Sequence, residues 1–212
     1  MTLPNVPAAL DSVSRIPESL AVTLGSPDAW DSLVPVPVGP EIQTPRDLQA
    51  FLLDYAVSVL AARELPLIRN AWELASIGHS RELIALDPKD TDGIHDSRFL
   101  QASLQVGRRQ LGKLRPLRDH RVVQRYAAAV DSGVAAGRHE VVFGLALAVF
   151  DLPLRQGLLH YSGRTLAGFA GRVPTSGRLT DAEKQAVVNA ILESVPVRVN
   201  ALIGATSQLV VT

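Results

Sequence analysis

The chain contains no cysteine. That single absence excludes disulfides, Fe–S clusters, cysteine-ligated zinc and a thiol nucleophile. Net charge is absent too, with 21 basic residues balancing 21 acidic ones, so no global field draws the chain to nucleic acid. Aromatic residues make up 5%, too few for a row of base-stacking platforms. Long apolar runs are missing. The longest, Val141 to Phe150, covers ten residues, about half of what a bilayer requires. Met1 to Leu10 has neither the basic start nor the long apolar run of a secretory signal. These absences lead to an expectation of a cytoplasmic protein with neither a membrane nor a nucleic-acid partner.

What is present is a core-forming composition. The 212 residues are 47% hydrophobic and 20% charged, which suits one folded domain or two small ones. Charge is sorted along the chain. Residues 1–97 hold 6 basic and 14 acidic groups, and residues 98–138 hold 9 and 2. The basic block includes Arg108, Arg109, Lys113, Arg115, Arg118, Arg121 and Arg125. Such a block is either a solvated helix face that partners the acidic half or a docking surface for an acidic protein.

Proline and helix signals divide the chain into three. Residues 1–43 carry Pro4, Pro7, Pro17, Pro27, Pro35, Pro37 and Pro40. Proline removes backbone donors, so no long helix runs through this stretch and a proline-rich, partly ordered arm is expected. Residues 44–195 read as an all-helical domain, and 196–212 as a short helix or tail. Thr44-Pro45-Arg46-Asp47 is a helix start, with Thr at the N-cap and Pro at the first helical position. Apolar residues then recur at three- and four-residue spacing to about Arg63. Leu65-Pro66 predicts a break. Further helices are expected over 66–77, 80–86, 96–114, 121–136, 140–150, 153–171 and 180–194, with a loop from Asp87 to Gly93. The helix at 140–150 is apolar nearly all round and predicts a buried centre. Thr180-Asp-Ala-Glu183 is a capping box. The fold class is all-α, a helical bundle of about seven to ten helices. Gly144, Gly157, Gly163, Gly168 and Gly171 lie in or beside helices, which predicts close helix packing or a partner helix laid across Gly163, Ala167 and Gly168.

Chemistry is hard to find. No Gly-x-Ser-x-Gly, Walker A or strand-linked Gly-x-Gly-x-x-Gly pattern occurs. No two of His79, His95, His120, His139 and His160 have the i, i+4 spacing of a helical zinc site. His95-Asp96, with His79 and Asp131, resembles the ligand set of helical metal phosphohydrolases, but Asp96 also fits an ordinary N-cap. His139 is expected to be a partly buried hydrogen-bonding residue. The residues support no catalytic group, no cofactor and no metal site, and an interaction protein is the better reading.

Several segments, in order, resemble the urease accessory protein UreF family. Gly39 to Leu52 is similar to the family's first long helix. Ala62-Arg-Glu-Leu-Pro-Leu67 resembles its helix junction. Ser97 to Leu111 matches its Ser-x-x-x-Gly-x-x-x-Leu helix at Ser103, Gly107 and Leu111. His139-Glu-Val-Val-Phe-Gly144 resembles the His-x-x-Val-x-Gly start of its buried helix, and Phe150-Asp-Leu-Pro-Leu154 the turn that follows. Arg172-Val-Pro174 with Thr180-Asp-Ala-Glu183 resembles its Arg-x-x-Pro segment. The family's glycine-rich N-terminal motif is missing, and Pro174-Thr-Ser-Gly177 replaces Pro-Leu-Gly-Gln. These departures mark a divergent member.

The resemblance implies a non-catalytic, dimerising all-α protein. It implies a complex with UreD (also called UreH) and the GTPase UreG that inserts nickel into the urease apoprotein. It points to three partner surfaces: the Ser103, Gly107, Arg108 helix face, Arg172 with Pro174, and the tail from Val197 to Thr212. Core packing is the competing reading for Ser103 and Gly107. Two other functional readings stay open, an all-α adaptor unrelated to urease and a metal phosphohydrolase.

Overall fold

The structure is a computed structural model that describes residues 42–89, 97–173 and 179–204. The expected arm at 1–43 lies outside the described residues except for Ile42 and Gln43. The described chain is an all-α bundle, and no strand occurs among the described residues.

Its first feature is one long helical rod. Helix α1 (Pro45–Asp54) starts on a reciprocal capping box. The Thr44 hydroxyl accepts from the Asp47 N–H at 3.2 Å, and the Asp47 carboxylate accepts from the Thr44 N–H at 3.0 Å. The rod continues as a π-helix (Tyr55–Glu64) and then as α2 (Leu65–Ser76). The break predicted at Leu65-Pro66 does not occur. Proline stops an α-helix because it lacks a donor and its ring meets the carbonyl four residues back. Here the preceding turns pair five residues apart, with the Leu65 N–H donating to the Leu60 carbonyl. That pairing leaves Pro66 room to continue the coil. Gly78 ends α2 at φ +75°, where His79 N–H donates to the Leu74 carbonyl at 2.9 Å.

Helix α3 (Ser80–Ala85) precedes α4 (Ser97–Leu114) and α5 (Arg121–Asp131). The helix expected to reach Ala136 ends five residues earlier, at Asp131. Gly133 and Gly137 both take positive φ, and the Ala136 N–H donates to the Asp87 carbonyl rather than back into a helix. Next come α6 (His139–Val149) and α7 (Leu154–Arg172), joined by a turn with Asp151 at φ 52°. Helices α8 (Asp181–Leu192) and α9 (Val195–Gly204) close the described chain. The second capping box, Thr180 with Glu183, forms as read.

Helix α6 is the centre. It is buried from His139 to Leu147 and packs between α2 and α4. Gly144 makes the α2 contact possible, since a Cβ there would strike the Ile68 carbonyl oxygen and lie 2.8 Å from Ala71 Cβ. Around this centre α1 packs on α8, α7 on α8 and α9, and α3 on α5. Burying side chains such as Phe143, Leu145 and Leu147 removes large apolar areas from water, each worth roughly 1.5–3 kcal/mol. Asp181–Gly204 is long and apolar enough to cross a membrane by length and composition alone, its most apolar 18-residue window having a mean hydropathy of 1.4. Unbroken apolar runs alone did not reveal it. Its inner residues Val188, Ile191, Val195 and Val199 belong to the core.

Candidate functional site

The described polar groups that are most constrained surround the start of α6. Asp87 was expected to open a loop, and the structure buries it wholly. Four donors hold its carboxylate. The Tyr126 hydroxyl donates to Oδ2, as do the N–H of Gly137 at 2.8 Å and of Arg138 at 3.2 Å. Arg138 Nε donates to Oδ1 at 2.5 Å, and its guanidinium also reaches the Leu86 carbonyl. A buried carboxylate is tolerable only with such full pairing. No local pattern revealed Asp87. Its partners lie 39 to 51 residues away in sequence, so only the fold brings them together.

A second cluster lies deeper. The Ser103 hydroxyl donates to Glu140 at 2.5 Å and accepts the His139 N–H at 2.9 Å. Tyr55 donates to Glu64 at 2.7 Å, and Tyr161 turns its hydroxyl to the same carboxyl. Burial, reinforced by Glu140, pushes Glu64 up to about 8, so it is protonated near neutrality. Burial also raises Glu140. The His139 ring stacks on Tyr161 at 5.4 Å, and burial pushes it down to about 3, which leaves a neutral imidazole. It is fully rather than partly buried.

The residues singled out in sequence fall into two groups. Ser103 and Gly107 face inward. A Cβ on Gly107 would collide with the Gly137 carbonyl oxygen and lie 2.6 Å from His139 N, so α4 rests on bare backbone there. Arg108 and Arg172 are exposed. Pro174 lies outside the described residues. Beneath Arg172, the buried Lys184 donates to the Val173 carbonyl at 2.7 Å and fixes the end of α7. Above the Asp87 cluster runs an open groove of about 400 Å³, lined by Lys89, Arg108, Leu111, Arg115, Val130, Asp131, Gly133 and Ala135. Arg115 grips Asp131 with two hydrogen bonds, at 2.8 and 2.5 Å.

The phosphohydrolase set does not assemble among the described residues. Asp131 serves Arg115, and His79 lies at the surface beside Glu82, 3.9 Å away. His95 and Asp96 lie outside the described residues. No group of three His, Asp or Glu residues there is placed to hold a metal ion.

Residues 42–171, from the first helical rod to the end of α7, match the model of the family described as UreF. The chain belongs to the UreF family. The matched span contains both buried clusters and the basic groove. UreF proteins are urease accessory proteins rather than a catalytic family. No curated protein matches the chain.

Proposed function

We propose that this UreF chain is the non-catalytic bridge in urease maturation, joining a UreD/UreH-type protein to the GTPase UreG while nickel is delivered to the urease apoprotein. The observation that carries the reading is the family match over residues 42–171. The geometry supports a division of roles. The buried clusters pin the start of α6, and α4 packs directly on it through Gly107. That fixes where the exposed Arg108 stands, so Ser103 and Gly107 act by positioning this partner surface. Arg172, held at the end of α7 by Lys184, and the segment after Val197 complete it. Pro174 belongs to the same proposed contact as Arg172. The arm at 1–43, the helical domain and the tail serve as separate contact regions. A homodimer in the cytoplasm is the working assembly, with no resident cofactor.

Co-expression tests this. The tagged chain is expressed with and without the UreD and UreG proteins of its own source, and the eluted species are weighed by light scattering. The expected result is a complex containing UreD that gains UreG in the presence of GTP, and that Arg108→Glu weakens without altering the UreF fold. Elution with neither partner would sink the bridging role and leave a UreF-family adaptor with another partner.

A further inference from the structure

We propose that the groove between α4 and α5 is a docking site for an acidic segment that carries an aromatic ring, and that its occupant in the free protein is the chain's own Asp28-Ala-Trp-Asp31. The groove has two chemistries. Its base is the partly exposed Val130 over the buried Leu111 and Ala135, and Lys89, Arg108 and Arg115 stand around it. Asp131 is the one carboxylate among the lining residues and is already committed to Arg115, so the lining keeps a surplus of positive charge.

The complementary segment is in the same chain. Residues 1–41 hold Asp11, Glu18, Asp28, Asp31 and Glu41 against Arg15 alone. Within them Trp30, one of the two tryptophans, sits between Ala29 and Asp31, with Asp28 two residues before it. An indole on an apolar floor beneath an arginine gains both burial and cation–π attraction. The two aspartates meet the cations around it. Eleven residues lie between Trp30 and Ile42, where the described body begins. Fully extended they span about 40 Å, which is comparable to the width of a helical body this size. Tethering also raises the segment's effective concentration to about the millimolar range, which lets a modest contact stay occupied. The proposal does not depend on the urease reading. A partner with a better acidic and aromatic segment would compete for the same groove.

The test uses the full chain with both tryptophans replaced by 5-fluorotryptophan and fluorine NMR as the readout. Trp30→Phe identifies the Trp30 signal. The expected result is a Trp30 signal displaced from the free-indole position and independent of protein concentration. It should move to the free position with Arg108→Glu or with 0.5 M salt, and stay displaced with Arg121→Glu, which lies off the groove. Combining Arg108→Glu with Asp28→Lys and Asp31→Lys should restore the displacement. Unchanged thermal unfolding guards against misfolded variants. A Trp30 signal at the free position, or one that ignores Arg108→Glu, overturns the proposal. A displacement that grows with protein concentration overturns it as well, because the occupant is then the arm of a second copy.

Discussion

Two glycines on α4 lie five residues apart and should respond in opposite ways to the same substitution. Gly107 presses on the backbone of Gly137 to His139, whereas nothing lies within 4 Å of a Cβ built on Gly112. Gly107→Ala must push α4 off α6 and should cost about 1–3 kcal/mol or more. Gly112→Ala should stabilise by about 1 kcal/mol, because it removes the helix penalty of glycine with no clash. Urea unfolding of the two variants checks both signs. Asp87 is the matching case in electrostatics. Asp87→Asn leaves the Arg138 guanidinium buried without its counter-charge, an expected loss of about 3–5 kcal/mol. Asp131→Asn removes a carboxylate of similar pairing at the surface, and the midpoint should barely move. Equal losses for the two aspartates would refute the view that burial sets their importance.

Helix starts were legible wherever the signal was local. Thr44 with Asp47 and Thr180 with Glu183 are complete caps within four residues, and both form. The buried character of α6 was legible for a similar reason, since its own composition states it. The failures involve distance or unusual geometry. Pro66 reads as a breaker under α-helical rules, and the π turns before it suspend them. The end of α5 is set by the Ala136–Asp87 pairing, which no window on either segment contains. For the candidate site the same division holds. The motif at Ser103, Gly107 and His139 was readable, and core packing was already one reading of Ser103 and Gly107, which the structure shows facing inward, but Asp87 and Glu64 left no trace. Helix α9 offers a test at this scale. Arg69, braced by Glu73 at 2.9 Å, donates to the Leu202 carbonyl at 3.0 Å and ties the end of α9 to α2. Arg69→Ala should speed hydrogen exchange at the last turn of α9 severalfold while α2 keeps its protection. Unchanged exchange in α9 would mean that Val195 and Val199 alone hold it.

Across the whole molecule, the buried titratable groups oppose one another and set a pH range for stability. His139 and His160 are pushed by burial to about 3 and about 4 from 6.5, with Arg164 adding to the effect on His160. Their unfolded forms therefore take up protons that the native forms refuse. Below pH 6.5 each costs about 1.4 kcal/mol per pH unit, until its native group also titrates. Glu64 runs the other way. Its native carboxyl holds a proton up to about 8, while the unfolded one releases it near 4.5. Between those values rising pH favours the unfolded chain by the same slope, and the raised Glu140 acts in the same direction. From 4.5 to 6.5 the carboxyls oppose the two histidines. Above 6.5 the histidines drop out and only the carboxyls remain. Stability should therefore fall by about 2 kcal/mol from pH 6.5 toward pH 8. Glu64→Gln isolates the cause, because the amide still accepts from Tyr55 and does not ionise. Urea midpoints at pH 6.5 and 8 should converge in that variant to the extent that Glu64 drives the fall. If Glu64→Gln loses as much stability as the parent between the two values, the proton on Glu64 is not what the alkaline limb removes.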